Sequence, residues 1–100
     1  MQKIKMTTER ELTPGRIVEK MILARRVAVI NDNGTIHGIQ SECRHMRASL
    51  AQGGVQDGIL TCNWHGWRYR LDTGECLTTP GMKLKKYPVE IVDGTVYVLL

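Results

Sequence analysis

The stretch "LTCNWHGWRYR", residues 60–70, decides how this chain reads. It holds both tryptophans, one of the three tyrosines, a cysteine and a histidine, in a protein without phenylalanine. "GILTC" before it and "WRYRL" at its end have the composition and alternation of short strands, so the residues between them form a Gly-containing loop. That loop presents a thiol and an imidazole as Cys62-x-x-His65. A second stretch repeats the chemistry: "CRH" supplies Cys43-x-His45, and sixteen residues (46–61) separate the two motifs.

Two thiolates and two imidazoles suit two kinds of centre. One is a closed tetrahedral zinc site, and the other is a [2Fe-2S] cluster with both sulfurs on one iron and both nitrogens on the other. Zinc fingers usually give a cysteine pair first and a histidine pair later, whereas here each loop gives one of each. The interleaving favours the cluster, with a zinc-stabilised binding module as the alternative of another class.

"CRHMRASL" followed by "LTCNWHGWRYRLDTGECL" resembles the Rieske family, whose C-x-H and C-x-x-H loops lie at this separation. The resemblance implies an all-β fold, an antiparallel β-sandwich or barrel with a two-loop cluster-binding subdomain at one tip. In these terms residues 1–100 are a single domain, with the cluster region at about 41–81 inserted in the β scaffold. The resemblance also implies one [2Fe-2S] cluster, with Cys43 and Cys62 on the inner iron and His45 and His65 on the outer, exposed one.

The loops point to one branch of that family. The quinol-oxidising branch has an additional cysteine in each loop, where this chain has Ala48 and Trp64, so no bridge across the cluster can form. It also has a serine where Trp67 stands, and losing that hydrogen bond to cluster sulfur lowers the potential. The expected potential is therefore toward the negative end of the approximate −150 to +300 mV Rieske range. Tyr69 matches a tyrosine that donates to a ligand cysteine, which would offset part of that loss. Trp64, Trp67 and Tyr69 together form the expected aromatic wall of the site.

The implied role is that of an oxygenase-associated ferredoxin, a one-electron carrier between a ferredoxin reductase and a terminal oxygenase or other oxidoreductase. The alternative within the family is a Rieske subunit or electron-input domain of a larger complex. An oxygenase iron needs two histidines and a carboxylate. Of three histidines the cluster takes two, so His37 alone cannot build that site and the chain is not expected to be an enzyme. Partner docking is expected at Arg44, Met46, Arg47, Trp64 and Arg68, where a basic rim suits an acidic partner.

Composition sets the remaining bounds. The formal charge is +4, but the basic residues are dispersed and "KLKK" at 83–86 is the densest run, so no nucleic-acid partner is expected. No apolar run is long enough for a membrane helix and the start does not read as a secretory signal, which gives a cytoplasmic, membrane-free expectation with a monomer favoured. Cys76 reads as a buried thiol outside both motifs, and His37 as a strand residue. Strands are expected at Lys3 to Thr7, "RIVEKMIL", "RRVAVI", "IHGIQ", "YPVEIV" and "TVYVLL". Asn33-Gly34 and Asp93-Gly94 are the hairpin turns.

Overall fold

Residues Val27–Asn31 are buried in unbroken sequence, the pattern of a strand covered on both faces. The computed structural model describes residues 2–45 and 47–100, and in it this run lies in strand β3 (Arg25–Asp32). The remaining strands are β1 (Lys3–Thr8), β2 (Ile17–Ile22), β4 (Thr35–Gln40), β5 (Gly54–Gln56), β6 (Ile59–Thr61), β7 (Arg68–Arg70), β8 (Lys86–Tyr87), β9 (Val89–Val92) and β10 (Thr95–Leu99). A single 3-10 turn, Leu50–Gln52, is the only helical element among the described residues. The strands form three antiparallel sheets, ordered β1-β10-β9, β2-β3-β4-β8 and β5-β6-β7. The chain is all-β, as expected.

Alternation along β3 divides its side chains between two cores. Val27 and Val29 pack with Met6, Leu12, Tyr87, Val96 and Val98, which belongs to the side of the terminal sheet. Ala28 and Ile30, with Ile39 of β4, pack instead with Leu50, Leu60, Tyr69 and Leu71 and with all three cysteines. Each fully buried Val, Ile or Leu contributes about 1.5–3 kcal/mol, so the second core ties the loop region firmly to the β2-β3-β4-β8 sheet. At Gly38 the chains come so close that a Cβ would lie 2.7 Å from the Tyr87 carbonyl oxygen, so only glycine fits there.

Both expected turns are present. Asn33-Gly34 joins β3 to β4 and Asp93-Gly94 joins β9 to β10, each with two positive φ values, the type I′ geometry that matches strand twist. Two further hairpins have the same geometry. Asp57-Gly58 joins β5 to β6, a strand pair of which only β6 was legible, and Leu23-Ala24 joins β2 to β3 at φ 49° and 66°. The expected strand "YPVEIV" is divided at Pro88, which has no N–H to donate. Tyr87 pairs with Gly38 in one sheet, and Val89 begins β9 in another. The first strand extends to Thr8 and carries a bulge between Lys5 and Thr7, which is why the adjacent Met6 and Thr7 are both buried.

Left-handed backbone costs roughly 1–2 kcal/mol for a residue with a Cβ, and the exposed Leu23 side chain gains little packing in return. A Leu23→Asn, Ala24→Gly double variant therefore relieves strain. Allowing for the entropy of the new glycine, it is expected to gain about 1 kcal/mol, or roughly 4–8 °C in Tm, by circular dichroism melting. An unchanged Tm would show that the native turn carries no such strain.

Candidate metal centre

The two loops are built alike. Loop 1 (41–49) leaves β4, and the Cys43 N–H donates to the Ala48 carbonyl at 2.8 Å. Loop 2 (62–67) connects β6 to β7, and the Cys62 N–H donates to the Trp67 carbonyl at 2.7 Å. Each cysteine thus closes its own loop with its backbone amide and keeps its side chain available. Arg47 at φ 58° and His65 at φ 62° adopt left-handed backbone within these turns. For residues with side chains this is sparsely populated and persists where surrounding bonds enforce it, as the Arg47 N–H does by donating to the Cys43 carbonyl at 2.7 Å.

The four candidate ligands separate by chemistry. Cys43 and Cys62 are both 1% exposed, while His45 and His65 lie at the surface. The imidazole centroids are 4.7 Å apart at 87°. The thiols are also neighbours. Burial pushes the Cys62 thiol up, the Trp64 N–H acts against that, and the adjacent Cys43 thiol adds to it. A thiol pair beneath an imidazole pair fits a two-iron cluster whose irons take sulfur and nitrogen separately.

Polar hydrogens point at the sulfurs. The Trp64 N–H donates to Cys62 Sγ at 3.4 Å, and Tyr69 Oη lies 3.2 Å from Cys43 Sγ. Tyr69 Oη also accepts the Arg44 N–H at 2.8 Å, so the phenol's own proton is free for sulfur. Burial, and then the bond to Cys43, raise the Tyr69 phenol well above its ordinary value and keep it protonated. Tyr69 is fully buried and Trp67 stacks on the His45 ring, with centroids 4.7 Å apart at 19°.

Trp64 departs from the expected wall. It is 55% exposed and edge-on to His65 at 5.7 Å, which places it at the outer surface, as its expected part in docking requires. Arg44 and Arg47 are exposed in loop 1, Arg47 paired with Glu42 at 3.2 Å; Arg68 is exposed in β7 and lines a hollow with Gln56 and Thr61; Met46 lies outside the described residues. Cys76 is buried, its sulfur accepting the Thr79 N–H at 3.3 Å. His37 lies in β4 with Nδ1 3.2 Å from Lys86 Nζ, and burial, then the Lys86 charge, lower its pKa. Sequence reading missed Arg26, whose guanidinium donates to the Arg47 carbonyl at 3.1 Å, and Glu19, which contacts both ends of loop 1. Neither lies near a motif, and only strand pairing brings them there.

The family model of the Rieske [2Fe-2S] domain matches residues 2–88. The chain belongs to the Rieske family. It is 32% identical over 90 residues to the biphenyl dioxygenase ferredoxin subunit of Pseudomonas sp. strain KKS102, covering 88% of this Rieske chain and 83% of that protein. It is 50% identical over 54 residues, 51% of its length, to a Rieske 2Fe-2S iron-sulfur protein of Mycobacterium tuberculosis, but spans only 10% of that relative. Among solved structures, a chain in the complex of reduced oxygenase and oxidized ferredoxin in carbazole 1,9a-dioxygenase superposes with a TM-score of 0.88 at 26% identity, covering 96% of this chain and 91% of that one. The cofactor is accordingly one Rieske-type [2Fe-2S] cluster, which sets aside the zinc reading.

A hydrogen bond to ligand sulfur stabilises the more negative, reduced state. Tyr69→Phe is therefore expected to lower the midpoint potential by roughly 50 mV, the equivalent of about 1 kcal/mol, in protein-film voltammetry. An unchanged midpoint would mean that the phenol does not donate to that sulfur in the loaded protein.

Proposed function

We propose that Cys43 and Cys62 hold the inner iron, that His45 and His65 hold the outer one, and that the chain carries single electrons from a ferredoxin reductase to a terminal oxygenase. The observation that carries this reading is the sorting of the four side chains, with both thiols buried and both imidazoles at the surface. The cluster, when bound, supplies reversible one-electron chemistry. The surrounding residues exclude water from the sulfur side, direct N–H and O–H groups at the thiolates, and leave imidazole edges for a partner to approach. The similarity to a dioxygenase ferredoxin subunit along most of its length supports a carrier role and an oxygenase as the partner.

Charge on the molecule suits that use. Arg26 of β3 donates to the Arg47 carbonyl of loop 1, the loop that also carries Arg44 beside His45. Asp32 closes the same strand and lines one surface hollow with Asp57 and with Asp72, the last ion-paired to Arg70 at 2.7 Å. At about 3.3 Å per residue, β3 sets Arg26 and Asp32 about 20 Å apart. Exposed arginines on the loop that carries His45 suit an acidic partner during encounter. No helix among the described residues is long and apolar enough to cross a membrane. A cytoplasmic site of action accords with the carrier reading.

Two measurements test the reading. Electron paramagnetic resonance of the dithionite-reduced protein should give a rhombic signal with a low average g value, with two irons and two acid-labile sulfides per chain. A silent spectrum would overturn the ligand assignment. In the electron-transfer reaction with the oxygenase, Arg44→Glu and Arg47→Glu are expected to slow association several-fold at low salt and to approach the native rate at high salt. Rates independent of both salt and substitution would remove the basic rim from docking.

A further inference from the structure

Glu19 of β2 lies far from either motif in sequence, yet it contacts both ends of loop 1. Its Oε2 accepts the Ser41 hydroxyl at 2.6 Å and the Ser49 hydroxyl at 2.5 Å. These serines stand at the two ends of the segment that carries Cys43 and His45. Main-chain contacts close the same neck, through the Leu50 N–H donating to the Ser41 carbonyl at 3.3 Å and an antiparallel bridge between Glu42 and Ser49.

The donor assignment follows from what each serine already does. Ser49 Oγ accepts the Ala51 N–H at 3.2 Å as the cap of the 3-10 turn, so its single proton is free for Glu19. Ser41 is fully buried, and its hydroxyl proton likewise goes to Glu19. One carboxylate oxygen, Oε2, thus accepts both hydroxyls and holds the two ends of the loop together through a single atom.

We propose that Glu19 is a positioning residue for the cluster. Its carboxylate ties the neck of loop 1, governs how firmly Cys43 and His45 are held, and places an acidic group at the root of that loop. The inference rests on the assignment of Cys43 and His45 as ligands. Groups that orient metal ligands commonly govern metal retention by 10–100-fold. A negative charge at the root of the loop that carries two of the ligands also opposes uptake of an electron there, so removing it favours the reduced state. A strand staple without a link to the cluster would change melting alone.

The test uses the loaded protein in four forms: native, Glu19→Gln, Glu19→Ala and Ser49→Ala. Cluster loss is followed by visible bleaching in excess EDTA, the midpoint by voltammetry, and melting by far-ultraviolet circular dichroism. Glu19→Gln keeps an oxygen acceptor but no charge, and should raise the midpoint with a nearly native cluster lifetime. Glu19→Ala should release the cluster roughly tenfold faster. Ser49→Ala should fall between native and Glu19→Ala. A native lifetime and midpoint in Glu19→Ala, with only Tm reduced, would overturn the inference. Should Glu19→Ala fail to fold, a native midpoint in Glu19→Gln together with a native lifetime in Ser49→Ala would overturn it equally. A native protein without the mixed-ligand resonance signal would refute the ligand assignment first, and the role of Glu19 with it.

Discussion

The site depends on two backbone hydrogen bonds, those by which the Cys43 and Cys62 amides close their loops on Ala48 and Trp67. A loop that satisfies its cysteine's own N–H in this way turns tightly enough to bring a thiol inward and, two or three residues later, an imidazole outward. The left-handed backbone of Arg47 and His65 is the cost of that tightness. With the loops so set, the buried sulfurs can be served by Tyr69 and by the Trp64 amide, while the histidine rings meet in the open.

The chemistry of the site was legible in the sequence because its residue types are rare and its spacings short. Cys43, His45, Cys62 and His65 are the candidate ligands by identity, and the structure sorts them into a buried thiol pair and an exposed imidazole pair, while Tyr69 is singled out by the family pattern. Trp64 illustrates the limit of such reading. The sequence offered Trp64 both a wall and a docking rim and could not choose, because successive residues of a turn face different ways; Trp64 faces outward where Trp67 lies on His45. Glu19 and Arg26 could not be read at all, because strand pairing alone carries them to loop 1.

The fold was legible where turn chemistry is explicit and illegible where packing overrides it. Asn33-Gly34 and Asp93-Gly94 are low-energy type I′ turns in almost any setting. Leu23-Ala24 has no such preference, and adopts the same shape because six register pairs of β2 and β3 leave two residues to make the connection. Pro88 was visible within "YPVEIV", but its effect was to move the chain from one sheet to the next rather than to sit at the edge of a continuous strand.

The division of β3 between two cores has a thermodynamic consequence. Cluster ligation stabilises only conformations in which both cysteines are in place, and that free energy becomes part of the folding free energy of whatever is coupled to them. Cys43 and Cys62 share a core with Ala28 and Ile30, whose immediate neighbours Val27 and Val29 belong to the other core. The strand is thus a party wall: stabilisation gained on the iron side is felt in the terminal sheet, although β1, β9 and β10 supply none of the proposed ligands.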